Sequence, residues 1–144
     1  MKPAYLLDVN VLLALSNLEH LHHSAAHQWF QHKHHEGWGT CCVTQLAFVR
    51  LMSNPKLAQP ALSPQQALKS LEIAAKHPSH RFFKEPPAGL IEMTLRGFLD
   101  GVLTHNGLTD AFLAALAHAQ GARLATFDQG IKRLYGQSVE LLQP

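Results

Sequence analysis

A rhythm in the sequence limits most tightly what this chain can fold into: short apolar runs alternate with stretches whose apolar residues recur at helical spacing. Tyr5–Val9 reads as a buried strand, and Asn10 is placed to cap a helix running through Asn17. From Ser24 to His35, Ala25, Ala26, Trp29 and Phe30 mark one helical face, with glutamine and histidine opposite, and Gly37 ends the element. Trp38–Val43 reads as a second strand, after which Thr44 is expected to cap a helix through Met52, stopped by Asn54-Pro55. Ser63-Pro64 is a strong helix start, with Ala67, Leu68, Leu71, Ala74 and Ala75 as the buried stripe. Arg81–Lys84 is a third strand closed by Pro86-Pro87, and Ile91, Leu95, Phe98, Leu99 and Val102 predict one amphipathic helix. Thr109 or Asp110 opens an alanine-rich helix to Gln120, ended by Gly121. A strand at Leu124–Thr126, a helix from Asp128 to Tyr135 and a strand at Ser138–Leu142 complete the series. Alternation of this kind implies a parallel sheet covered by helices on both faces.

With 144 residues the chain has the length of one domain, expected to span 1–144, and can bury about 70% of its unfolded surface. A charged fraction of 15% against 47% hydrophobic residues excludes a disordered chain. The only cysteines, Cys41 and Cys42, are adjacent; on a strand they point to opposite faces, so two buried free thiols in a reducing cytoplasm are expected. The apolar segment from Met1 to Ser16 is interrupted by Asp8 and Asn10, and no run reaches the roughly 18 apolar residues of a membrane span. The expectation is a cytoplasmic protein with no membrane partner.

Three of the acidic residues stand in unusual places. Asp8 ends the first strand, Asp110 stands at the start of the alanine-rich helix, and Asp128 follows the Leu124–Thr126 strand. Ligand sites of open α/β sheets gather at the carboxyl ends of strands, where the strand order reverses. Carboxylates collected there repel one another unless a cation lies between them, and Mg²⁺ or Mn²⁺ is the natural filler for oxygen ligands. An aspartate at a helix start is equally an ordinary cap, which is the simplest reading of Asp110 or Asp128 taken singly. Asp8 differs, because an acid inside a run of leucine, valine and alanine costs stability unless it is used.

Three motifs carry a resemblance. Leu6-Leu7-Asp8-Val9-Asn10-Val11-Leu12-Leu13-Ala14-Leu15 closely resembles the opening motif of the PIN nuclease family, Thr109-Asp110-Ala111-Phe112-Leu113-Ala114-Ala115-Leu116-Ala117 its third acidic motif, and Leu124-Ala125-Thr126-Phe127-Asp128 its fourth. The likeness runs nearly end to end and includes Thr44 and Phe48-Val49-Arg50-Leu51-Met52-Ser53-Asn54-Pro55. It implies a three-layer α/β/α sandwich around a five-stranded parallel sheet in the order 3-2-1-4-5. It further implies a metal-dependent endoribonuclease of the VapC toxin type, often a homodimer, neutralised by a VapB-like antitoxin. Asp8, Asp110 and Asp128 would hold one or two Mg²⁺ or Mn²⁺ ions, with Asn10, Thr44, Thr109 and Thr126 in support.

At one position the sequence departs from that pattern. The family's second acid, a glutamate, directly follows the residue corresponding to Thr44; here the position is Gln45. Its amide offers a neutral oxygen in place of a carboxylate, so the implied site loses a negative charge. Glu36 is the one acid within nine residues, and it precedes the strand. A catalytically impaired PIN-fold module that binds RNA or an antitoxin therefore stands as the alternative to an active nuclease. A phosphoacceptor receiver domain also gathers aspartates at strand ends, but such domains usually pair two acids early in the chain and place a functional lysine late, which disfavours that reading.

Other features carry less. His20, His22, His23, His27, His32, His34 and His35 crowd one segment, and the i, i+4 spacing of His23 and His27 could present two imidazoles to Zn²⁺, although a solvated helix face explains the pattern as simply. His105 precedes Asp110 and could approach the acids. Arg50, Lys56, Arg123, Lys132 and Arg133 are candidates for phosphate contact, and Phe48, Phe98 and Phe112 for the core.

Overall fold

Strand β1 (Tyr5–Leu7) is buried along its whole length, and every other element is arranged around it. The structure, a computed structural model, describes residues 2–85 and 91–144. After β1 come α1 (Val9–Ser16), α2 (His23–Lys33), β2 (Trp38–Thr40), α3 (Cys42–Met52), α4 (Pro64–Ala75), β3 (His80–Phe82), α5 (Ile91–Leu95), α6 (Leu108–Ala119), β4 (Arg123–Thr126), α7 (Gln129–Tyr135) and β5 (Val139–Leu141). The strands form one parallel sheet in the order β3-β2-β1-β4-β5. This is the expected α/β/α architecture.

Strand alternation builds a core on each face. Leu6 and Leu124 join Phe112, Leu113, Leu116 and Ile131 beneath α6 and α7. Tyr5, Leu7 and Ala125 point the other way, onto Val11, Leu12, Phe48 and Leu71 of α1, α3 and α4. Of the aromatics assigned to the core, Phe48 and Phe112 are buried and Phe98 packs on its edge. Ala111 through Ala117 are all buried, since the small side chains of α6 let its backbone lie close to the sheet. No described helix is long and apolar enough to cross a membrane.

Several expectations fail locally, each for a physical reason. The strand predicted to reach Val43 stops at Thr40, because Cys41 caps α3 and its N–H is bonded to the Thr44 hydroxyl at 3.0 Å. Thr44 is therefore inside the first turn, not the cap. Cys41 is buried but Cys42 is exposed, so only one thiol is core. Asp8, not Asn10, caps α1: the Val9 N–H donates to Asp8 Oδ1 at 2.7 Å, and Asn10 lies within the helix. The helix expected from Ile91 to Val102 ends at Leu95, followed by Gly97 and Gly101 at φ of 85° and 82°, left-handed conformations that glycine tolerates and a helix does not. Helix α6 begins one residue early, at Leu108, leaving Thr109 and Asp110 in its first turn. Leu68, assigned to the buried stripe of α4, is 58% exposed, whereas Ser63 caps that helix as expected, reciprocally with Gln66. Pro86-Pro87 lies outside the described residues.

Gly39 shows how tightly the sheet is set. A Cβ there would run into the Arg81 carbonyl and come within 2.7 Å of the Phe83 ring. Gly39→Ala is expected to destabilise the protein by about 2 kcal/mol or more, as overpacking at unyielding backbone does. A urea-denaturation midpoint equal to that of the wild type would show that β2 and β3 are not packed this way.

Candidate active site

The strand order reverses at β1, with β2 on one side and β4 on the other, so a crevice opens beyond the carboxyl ends of β1 and β4. Asp8 stands at the end of β1 and Asp128 two residues past β4, each capping the helix that follows. Asp128 Oδ1 accepts from the Gly130 and Ile131 N–H groups at 2.7 and 3.1 Å, which leaves Oδ2 free of the helix.

Thr126 joins the two strand ends. Its hydroxyl donates to Asp8 Oδ2 at 2.7 Å and accepts from Asn10 Nδ2 and the Asp128 N–H, each at 3.1 Å. One donor and two acceptor positions are thus all used, which fixes the hydroxyl proton on Asp8. Asn10 completes the joint by accepting the Phe127 N–H at 3.4 Å. The fold thus places Asp8, Asn10, Thr126 and Asp128 side by side.

Asp110 enters from the first turn of α6, and Asp110 and Asp128 both line a hollow of about 410 Å³. Burial pushes the Asp110 carboxyl up to about 6, and the charges of Asp8 and Asp128 add to the rise. Burial also raises Asp8, against hydrogen bonds from Thr126 and Val9 that favour its charged form. The three carboxylates thus share one electrostatic neighbourhood. They do not close on a point: among the described residues no three His, Cys, Asp or Glu side chains are grouped as ligands of a single ion.

The other expected site residues stand apart. Thr44 is buried and its hydroxyl is spent on the Cys41 backbone, and Thr109 is exposed. His105 borders a separate hollow with Leu99, Val102 and Leu108. In the histidine-rich segment His23 and His27 stack at 5.9 Å, but His23 Nδ1 is bonded to the Ala14 carbonyl, and no third ligand joins them among the described residues.

Gln45, half-buried on α3, donates from Nε2 to Thr40 Oγ1 at 2.8 Å, and the same hydroxyl is 2.8 Å from His80 Nε2. Sequence reasoning missed Thr40 and His80, because the contact joins residues 40 positions apart. Burial, with lesser contributions from Arg81 and His77, lowers the His80 pKa and favours the neutral ring.

Residues 5–137 match the model of the PIN domain family. This chain belongs to that family. Its relatives include ribonuclease VapC39 of Mycobacterium tuberculosis, 36% identical over 126 residues that span 88% of this chain and 89% of the relative. Ribonuclease VapC38 of the same organism is 36% identical over 141 residues, covering 95% and 96%. Among solved structures, VapBC2 from Rickettsia felis bound to a promoter DNA fragment superposes with a TM-score of 0.65 at 14% identity, covering 96% of both chains. PAE2754 from Pyrobaculum aerophilum gives 0.63 at 21% identity, covering 97% of this chain and 90% of its own. The structural likenesses bear on the fold; the recognition of a VapC-like PIN domain rests on sequence.

The raised Asp110 carboxyl gives this PIN domain a measurable signature. A folded-state pKa of about 6 against a reference of 3.8 means the folded chain binds more protons between those values. Stability from this group is therefore greatest at low pH and is lost as pH rises through about 6. Asp110→Asn should raise the melting temperature of the metal-free protein above about pH 7 by several degrees, with the gain shrinking toward about pH 4. A gain that is the same at both ends would mean that neither burial nor its acidic neighbours raise the Asp110 carboxyl in the fold.

Proposed function

We propose that this PIN domain is a divalent-metal-dependent endoribonuclease, the toxin of a toxin–antitoxin pair, with Asp8, Asp110 and Asp128 as its metal-binding carboxylates. One observation supports the reading: three aspartates from three separate segments share one electrostatic neighbourhood beside the sheet's switch point, Asp110 and Asp128 lining one hollow, in a chain 36% identical to proteins named ribonuclease VapC. The donor chemistry fits Mg²⁺ or Mn²⁺. All the donors are hard carboxylate oxygens, burial and then the charges of Asp8 and Asp128 already raise Asp110, and such ions are commonly held by one or two carboxylates with waters completing the shell. When bound, the cation supplies Lewis-acid neutralisation of the phosphodiester charge. Thr126 and the Val9 N–H orient Asp8, Asn10 braces Thr126, and the first turn of α7 orients Asp128.

Gln45 favours a second reading. The position of the family's second acid carries a neutral amide already engaged with Thr40, so the domain would bind RNA or an antitoxin without efficient cleavage. Both readings are separated by one set of measurements. Mn²⁺ should raise the melting temperature of the wild type by mass action and do so far less for Asp8→Asn. RNA cleavage should require the metal, and Gln45→Glu, which adds a charged oxygen at nearly constant size, should raise metal affinity and cleavage about 10–100-fold. Identical Mn²⁺ responses from wild type and Asp8→Asn would remove the proposed site. Cleavage by neither wild type nor Gln45→Glu would leave the binding module.

The partner we infer is a small antitoxin. An apolar hollow of about 460 Å³ between α1, α2 and α4, walled by Leu12, Leu15, Phe30, Trp38 and Ile73, offers it a seat, and an arginine reaching the aspartates would take the place of metal. Purification from native cells should recover a short protein bound to this chain. A free, non-toxic chain at native expression level would contradict the pairing.

A further inference from the structure

We propose that Arg133 is a phosphate-binding residue of the acidic hollow, gripping the RNA backbone beside the phosphodiester that the aspartates address. The inference rests on the nuclease reading and adds a residue to it. Of the basic residues singled out in the sequence, Arg123 is held by Glu140 at 2.8 Å and by the Gln137 and Val139 carbonyls. Lys132 is held by the carbonyls of Gly136 and Val139 at 2.8 and 2.9 Å. Arg50 and Lys56 belong to the end of α3 and the turn after it, away from the hollow. Arg133 alone of the five lines the hollow with Asp110 and Asp128, is exposed, and forms no ion pair among the described residues.

Gly130 keeps this cation and the acids on one open surface. A Cβ at Gly130 would lie 3.0 Å from Asp128 Oδ1 and 3.8 Å from an Arg133 guanidinium nitrogen, filling the space between them. The bare backbone therefore leaves room there for a group that meets both. That group must accept hydrogen bonds from a guanidinium while tolerating nearby carboxylates and whatever cation they hold. A phosphodiester does so: its two free oxygens match the planar fork of arginine and also suit a metal ion. A single chain segment sets the arrangement, since Asp128 caps α7, Ile131 anchors the helix in the core, and Arg133 projects one turn on. Three carboxylates would repel an approaching polyanion, and a cation at their edge provides the local attraction that lets RNA enter.

The test uses the full chain on an Asp8→Asn background, so that RNA remains intact during binding. Affinity for a short mixed-sequence single-stranded RNA is followed by fluorescence anisotropy over a salt series. Arg133→Ala should weaken binding about tenfold and make the slope of log affinity against log salt shallower by about 0.7, the value of one single-strand phosphate contact. Arg133→Lys should keep the slope while losing part of the affinity, and Gly130→Ala should lose affinity a few-fold with the charge unchanged. Mn²⁺ affinity of the otherwise wild-type chain, read from melting temperature, should be unchanged or stronger in Arg133→Ala, because a neighbouring positive charge is gone. An unchanged salt slope in Arg133→Ala overturns the inference even where the wild-type chain cleaves RNA. Weakened Mn²⁺ binding in Arg133→Ala also overturns it, since the residue would then be supporting the acids. Absence of both RNA binding and metal-dependent cleavage in every version would instead sink the nuclease reading, and this inference with it.

Discussion

The hydrogen bond from the Thr126 hydroxyl to the buried Asp8 carboxylate, 2.7 Å long, is the contact on which the arrangement of this site depends. Burying a carboxylate in a sheet of leucine, alanine and tyrosine is costly unless its oxygens are satisfied. Here one oxygen takes the first N–H of α1 and the other takes Thr126. Because Thr126 also receives Asn10 and the Asp128 N–H, the ends of β1 and β4 are locked in one register. Asp128 is then delivered to the crevice by the backbone, and Asp110 stands near both on α6, which shares its face of the sheet with α7 and lies across the sheet from α1.

The same joint accounts for the electrostatics. Hydrogen bonds favour the ionised form of Asp8 while burial opposes it, and the charge retained there helps push Asp110 upward. A cluster in that state is unfavourable in the empty fold and is relieved by a cation or by an arginine. Either occupant would add stability only to the folded chain. On the proposed reading the acids would couple folding, metal and partner through a single set of charges, so that a protein supplying a positive side chain could restrain the nuclease.

Gln45 modifies this picture at the sheet's other flank. Its amide reaches back to Thr40, whose hydroxyl also contacts His80, so α3 is held to the end of β2 and the start of β3 by polar contacts that need no charge. A glutamate in this position would accept the Thr40 hydroxyl proton, and His80 Nε2 could then keep its contact with Thr40 only as a donor. The departure from the family pattern thus belongs to a local network, beyond the loss of one carboxylate.

Periodicity and turn residues were enough to determine the layer architecture and the parallel sheet, and the acidic motifs pointed to Asp8 and Asp128 beyond its strand ends and Asp110 at the start of a helix. These are legible because alternation and helical spacing are local, and because an acid inside an apolar run is conspicuous. Element ends were less so: an apolar Cys41-Cys42-Val43 suits a strand by composition, yet the Thr44 hydroxyl turns it into the start of a helix. Ile91 to Val102 reads as one helix until Gly97 and Gly101 adopt left-handed conformations. Only the tertiary structure decided that Thr126 holds Asp8, that His80 holds Thr40, and that Arg133 among five similar cations faces the acids. Those contacts join residues as many as 118 positions apart, and sequence distance carries no record of which strand ends the sheet brings together.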